Sequence, residues 1–104
     1  MKYSYDYSKL YHPRYTTIRR YSKGYKVGDI ITETYPSGEH KAEIEHIAKE
    51  TLHSMPIEFL QKDTIISGQE TPRREEIYLL FQSFYGKPID FEKEKFTIYY
   101  LKRV

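Results

Sequence analysis

The sequence predicts an α+β domain: a small curled sheet or β-barrel with one or two helices packed beside it. Short alternating or β-branched segments run from about residue 15 to residue 52, leaving no room for the helical crossovers that parallel pairing needs. An amphipathic pattern over residues 72–85 reads as a helix, and an alternating segment at residues 96–102 reads as a last strand. At 104 residues the chain is one domain, able to bury roughly two thirds of its unfolded surface without staples.

Residues 1–11, MKYSYDYSKLY, alternate Tyr with small or polar residues but have almost no aliphatic content to bury, so they read as a tyrosine-rich extension. Pro13 breaks the chain, and residues 15–19 form a short β-branched strand. The turn-like Ser22-Lys23-Gly24 leads to a second strand, residues 27–35, and Pro36-Ser37-Gly38 closes a hairpin. A third strand begins near His40, with Ala42, Ile44 and His46 on one face until Ile47 breaks the alternation, as at a bulge. Residues 56–67 are ambiguous between a short helix and irregular structure. The next helix has Thr71 as its N-cap and Pro72 at its first position, with an apolar stripe of Ile77, Leu80, Phe81 and Phe84. Gly86 ends it.

Charge is uneven. Residues 1–28 carry seven cations against one acid, a net of +6, so the rest of the chain holds −4 of the overall +2. The same residues contain seven of the twelve tyrosines, and cations interleaved with rings suit phosphates and unstacked bases. With no cysteine, disulfides and thiolate metal sites are excluded. The four histidines match no ligand motif; even spacing places His40 and His46 on one strand face, and two ligands make a poor zinc site. No metal or cofactor is expected. The longest uncharged apolar run is far short of a membrane span and no signal-peptide core is present, so a soluble, cytoplasmic protein is expected.

Arg14-Tyr15-Thr16-Thr17-Ile18-Arg19, followed by Tyr25-Lys26-Val27-Gly28-Asp29-Ile30-Ile31, resembles the opening of the ASCH domain (activating signal cointegrator homology), a PUA-like β-barrel family. The family signature is Gly-x-Lys-x-x-Thr-x-Arg before a strand that starts Val-Gly-Asp. Thr17 and Arg19 match its last two positions, His12 stands where it has glycine, and Arg14 replaces its lysine. The resemblance covers residues 12–103. It implies a domain over residues 12–104, with residues 1–11 outside, and a cleft lined by the Thr-x-Arg strand and the residues before the longer helix. Members handle RNA or modified nucleosides. A bacterial branch of similar length hydrolyses N(4)-acetylcytidine with a Lys, a Thr and a Glu, which fall here on Arg14, Thr17 and Glu70.

A guanidinium does not shed its proton near neutral pH, so Arg14 cannot replace a lysine base, and Lys23 or Lys9 would have to reach the cleft instead. The catalytic candidates are therefore Thr17, Glu70 and Lys23. The first functional expectation is binding of RNA, single-stranded nucleic acid or a nucleotide through a basic cleft of Arg14, Arg19, Arg20, Lys23 and Lys26, with Tyr15 and Tyr21 for stacking. The second is amide hydrolysis on an acetylated cytidine or related modified nucleoside. A protein-protein adaptor using residues 1–11 is the third.

Overall fold

The computed structural model describes residues 1–104. Four strands, β1 (Arg14–Arg19), β2 (Ile30–Tyr35), β3 (Gly38–Thr51) and β4 (Lys95–Arg103), form one antiparallel sheet in the order β1-β4-β3-β2. The sheet curls into a half-barrel, with α1 (Ile57–Thr64) and α2 (Arg74–Phe84) packed on its convex face. The expected α+β architecture is present. No helix is long and apolar enough to cross a membrane.

The central strand β4 has two covered faces because it lies between two cores, whereas β2 buries only one face. On β4, Phe96 and Ile98 meet Ile18, Leu60, Ile77 and Phe81 under the helices, whereas Tyr99 and Leu101 meet Tyr15, Ile31 and Ile44 on the concave side. The β2–β3 hairpin turns at Pro36 and Ser37, between the paired Tyr35 and Gly38. The register of β3 against β4 shifts between Ile44 and His46, so Glu45 is the extra residue of a bulge. That bulge corrects the histidine reading, because one inserted residue reverses every later side chain. His40 lies inward with Tyr15 and Tyr35, and His46 lies outward against Tyr100, ring centroids 5.2 Å apart.

Residues 1–11 are not an extension. Tyr3, Tyr7 and Leu10 belong to the concave core. Tyr3 N–H donates to Thr34 O and Thr34 N–H to Met1 O, both at 2.8 Å, which lays the first residues parallel to the edge of β2. Arg19 at the end of β1 donates to Lys2 O at 3.2 Å, so this strap also reaches the opposite edge of the half-barrel. It then crosses to the segment after α1, where Ser8 N–H meets Ile65 O at 2.9 Å, and turns through a 3-10 helix, Ser8–Tyr11. A segment with few aliphatics is buried through its rings, Tyr3 and Tyr7 packing edge to face, and the Tyr3 hydroxyl finds partners inside.

Two helix ends differ from the expected ones. The longer helix is capped by Arg73 rather than Thr71, with Glu76 accepting the Arg73 backbone N–H at 3.1 Å. It ends because Tyr85 turns to extended backbone (φ −127°) before Gly86 is reached. The second strand starts three residues late, since Gly28 takes φ +95° and donates to Ile44 O at 2.7 Å, a left-handed conformation that breaks a ladder and favours glycine.

Candidate active site

A cavity of about 240 Å³ opens between the strap, β1 and the helices. Lys9, Thr17 and Asp63 lie at its polar end, Tyr3 and Arg19 line one wall, and Phe84 stands among its aromatic residues. Three elements meet there. The 3-10 helix is anchored by the fully buried Leu10, which fixes Lys9; β1 presents Thr17 inward; the last turn of α1 brings Asp63.

Lys9 is only 6 % exposed. Its Nζ donates to Thr16 O at 2.8 Å, Asp63 Oδ1 at 3.0 Å and Thr17 Oγ1 at 3.4 Å. Burial pushes this amine below the usual lysine range; Asp63 opposes the shift, Arg19 adds to it and Glu33 resists it. Asp63 also accepts from Thr16 Oγ1 at 3.0 Å. Ammonium and carboxylate therefore satisfy one another away from water, which makes the charges tolerable there.

A second chain of contacts leads from Thr17 into the concave core. Thr17 Oγ1 lies 2.5 Å from the Tyr3 hydroxyl, which donates to Glu33 Oε1 at 2.8 Å. Tyr15 donates to the same oxygen at 3.0 Å. The Tyr15 hydroxyl is also 2.7 Å from His40 Nε2, and the Tyr35 hydroxyl 2.9 Å from His40 Nδ1. Glu33 is fully buried, and the α-amino group of Met1 stands 2.9 Å from its Oε2. Burial, reinforced by Glu33, pushes the Tyr3 and Tyr15 phenols up, so both keep their protons. The Arg19 guanidinium carbon lies 4.8 Å from the centroid of the Tyr3 ring, and its buried Nε has no partner.

The expected site residues separate. Thr17 and Arg19 line the cavity, as does Lys9, the lysine named as an alternative to Lys23. Glu70 is exposed and is not among the cavity residues. Lys23 is exposed beside a different, smaller hollow of about 90 Å³ with Arg19, Tyr25 and Tyr99. Arg14 lies on the convex face, ion-paired to Glu45 at 2.9 Å. Arg20 is held by Glu94, at 2.6 and 2.9 Å, and by the carbonyls of Lys87 and Pro88. Tyr15 is buried, unavailable for stacking, while Tyr21 and Lys26 are exposed.

Among known proteins, the chain is similar to an uncharacterized protein of the archaeon Methanocaldococcus jannaschii, 34 % identical over 112 residues that cover 100 % of this chain and 95 % of that protein. The chain belongs to that protein's family. No family model matches it. No solved structure matches it either.

Three of the residues around Thr17 did not stand out in the sequence. Glu33 could have been found from the alternation Ile31, Glu33, Tyr35, which places an acid on an otherwise apolar inward face. Tyr3 and Asp63 left no such signal, since one sits in a segment without aliphatics and the other ends a helix whose existence was ambiguous.

Proposed function

We propose that this ASCH-like domain is an amide hydrolase acting on a small modified nucleoside, with N(4)-acetylcytidine as the substrate to try first. The observation that carries this reading is the buried Lys9 amine, 3.4 Å from the Thr17 hydroxyl inside a cavity. The family signature lysine is absent at Arg14, and Lys9 brings an amine to the same threonine from a different part of the chain. An ammonium with a lowered pKa is a stronger acid, suited to protonating a leaving nitrogen. Thr17 supplies the nucleophile, and Arg19, with an unpartnered Nε, supplies positive charge for a developing oxyanion. The volume lies below the roughly 300–1,000 Å³ of sites for drug-sized ligands and favours a single base with a small acyl group over an oligomer.

Nucleic-acid binding through a basic cleft has less geometric support. Arg14 and Arg20 are engaged by Glu45 and Glu94, and Lys23 lies beside a different hollow from Thr17. The adaptor reading needs residues 1–11 to be free, and they are part of the core. The test is release of cytidine from N(4)-acetylcytidine by the wild type and by Thr17→Val, which keeps the shape and removes the hydroxyl. Turnover by the wild type, lost at least 100-fold in Thr17→Val, is expected. A folded wild type that cleaves no acylated nucleoside but binds single-stranded RNA in a salt-sensitive way would restore the binding reading.

A further inference from the structure

A single amine beside Thr17 could take the nucleophile's proton and pass it to the leaving group, but only if it starts neutral. The hydrogen bonding around Thr17 divides the two tasks. As an ammonium, Lys9 has three N–H donors, and Thr16 O, Asp63 Oδ1 and Thr17 Oγ1 take all three, leaving no lone pair to accept a proton. A phenol has one proton, and Tyr3 directs its own to Glu33 Oε1; its oxygen is then the acceptor for the Thr17 hydroxyl 2.5 Å away. Glu33 Oε1 receives a second phenol proton from Tyr15, so this oxygen carries none of its own. Asp63, the other buried carboxylate, bonds Lys9 and Thr16 and makes no hydrogen bond to Thr17.

We infer that Glu33, acting through the Tyr3 hydroxyl, is the proton acceptor that activates Thr17, and that Lys9 is the separate acid. This rests on Thr17 being the nucleophile. The Thr17 proton moves to the Tyr3 oxygen as the Tyr3 proton moves to Glu33 Oε1. Thr17 Oγ1 forms a bond to the acyl carbon, and the C=O π pair moves onto oxygen. Collapse of that intermediate breaks the C–N bond, and the leaving nitrogen takes a proton from Lys9. Water then attacks the Thr17 ester and gives its proton to the neutral Lys9; Thr17 Oγ1 departs and recovers its proton from Tyr3, and Tyr3 from Glu33. Amide plus water becomes acid plus amine, with both groups reset. Tyr3 is a relay and Glu33 a positioning residue, while Arg19 and the aromatic wall bound the space where the carbonyl sits.

The probe is p-nitrophenyl acetate, whose leaving group departs as an anion and needs no acid, so acetylation of Thr17 reads the first proton transfer alone. Wild type should show an acetylation burst, located at Thr17 by peptide mass spectrometry. Tyr3→Phe keeps the buried ring and Glu33→Gln keeps the side-chain volume. Each should slow acetylation about 100-fold, the double variant should be no slower than either single one, and Glu33→Asp should recover part of the rate. Tyr15→Phe removes the other phenol from the same Glu33 oxygen without touching the relay and should change the rate less than about threefold. Normal acetylation in folded Tyr3→Phe, or equal losses in Tyr3→Phe and Tyr15→Phe, would overturn the relay while leaving Thr17 as nucleophile. A wild type that acetylates elsewhere or not at all would overturn the nucleophile and the relay together.

Discussion

Thr17 and Ile18 are neighbours on β1, and they face two different interiors. Ile18 looks to the helices, into a core of Leu, Ile, Met and Phe, with Phe96 and Phe81 set edge to face, 5.8 Å between ring centroids. Thr17 looks into the half-barrel, where tyrosines outnumber any other type and where a glutamate and a lysine are buried. The convex face obtains its order from shape alone. On the concave face most buried hydroxyls and charges also find a partner, Arg19 Nε excepted, and the network from Lys9 to Tyr35 is the result. Such a face costs stability for its size and holds reactive groups within fixed distances of one another. The difference teaches that one strand can carry a dry scaffold and a reactive wall on alternate residues, so either can be perturbed separately.

The sharpest separation comes from the dry side. Phe96 is fully buried under the helices, and Phe96→Ala should destabilise the fold by about 3–5 kcal/mol through lost burial and the cavity left behind. The urea midpoint measures this. At temperatures where the variant is still folded, its pH dependence of stability should match that of the wild type, because the side chain removed makes only aromatic and aliphatic contacts and pairs with no charged group.

On the wet side, Lys9→Met leaves Asp63 buried without its cation, and a loss of about 3 kcal/mol is expected from the general cost of breaking a buried pair. Adding Asp63→Asn should recover part of it, since the orphaned charge is then gone. If the double variant is as unstable as the single one, the loss comes from packing and the contrast between the faces is weaker than drawn here. Turnover should not recover in either.

A smaller effect separates the faces by pH. Burial lowers the pKa of His40, Arg103 adds to that and Glu33 opposes it; the Met1 amine also lowers it, and the Tyr15 and Tyr35 hydroxyls sit on its two ring nitrogens. A base that protonates less readily when folded lets the unfolded chain bind more protons below the unfolded value of about 6.5. Stability should therefore be flat above that pH as far as His40 is concerned, and fall as pH drops toward the folded value. Comparing urea midpoints at pH 7.5 and 5, the difference should shrink in His40→Gln. An unchanged difference would remove His40 from the network's energetics.

How much of this was legible depended on which face a residue served. Periodicity located β1, β4 and the buried Ile77 and Phe81 of the helix stripe, though not the exposure of Phe84; turn residues located the hairpin, and the bulge expected at Ile47 falls at Glu45. The strap failed that test. Tyr3 and Tyr7 are as buried as many aliphatics, yet their segment alternates with serine and aspartate and reads as solvent-facing. Lys9 was visible only as an alternative to Lys23 for the missing lysine, since nothing in a composition separates a buried lysine from a solvated one. Glu70 was placed by motif spacing, which reports chain distance; Asp63 and Glu33 come near Thr17 through α1 and β2, a matter of tertiary packing.

The smallest expected effect is the one that decides between the faces as sites of function. Arg14 is 66 % exposed on the convex side, and its pair with Glu45 is a surface ion pair, a kind worth about 0–1 kcal/mol because water screens both charges and two long side chains lose freedom. Arg14→Ala should shift stability by less than about 0.5 kcal/mol and leave hydrolysis unchanged, since β1 turns residue 14 away from the face that carries Thr17. The informative measurement is the salt dependence of single-stranded RNA binding. With the cavity as the functional site, the variant and the wild type should show the same weak slope. A steep wild-type slope that falls by about one in Arg14→Ala would mean that this guanidinium meets a phosphate, and the convex surface around Arg14, not the tyrosine-lined interior, would be where the protein meets its ligand.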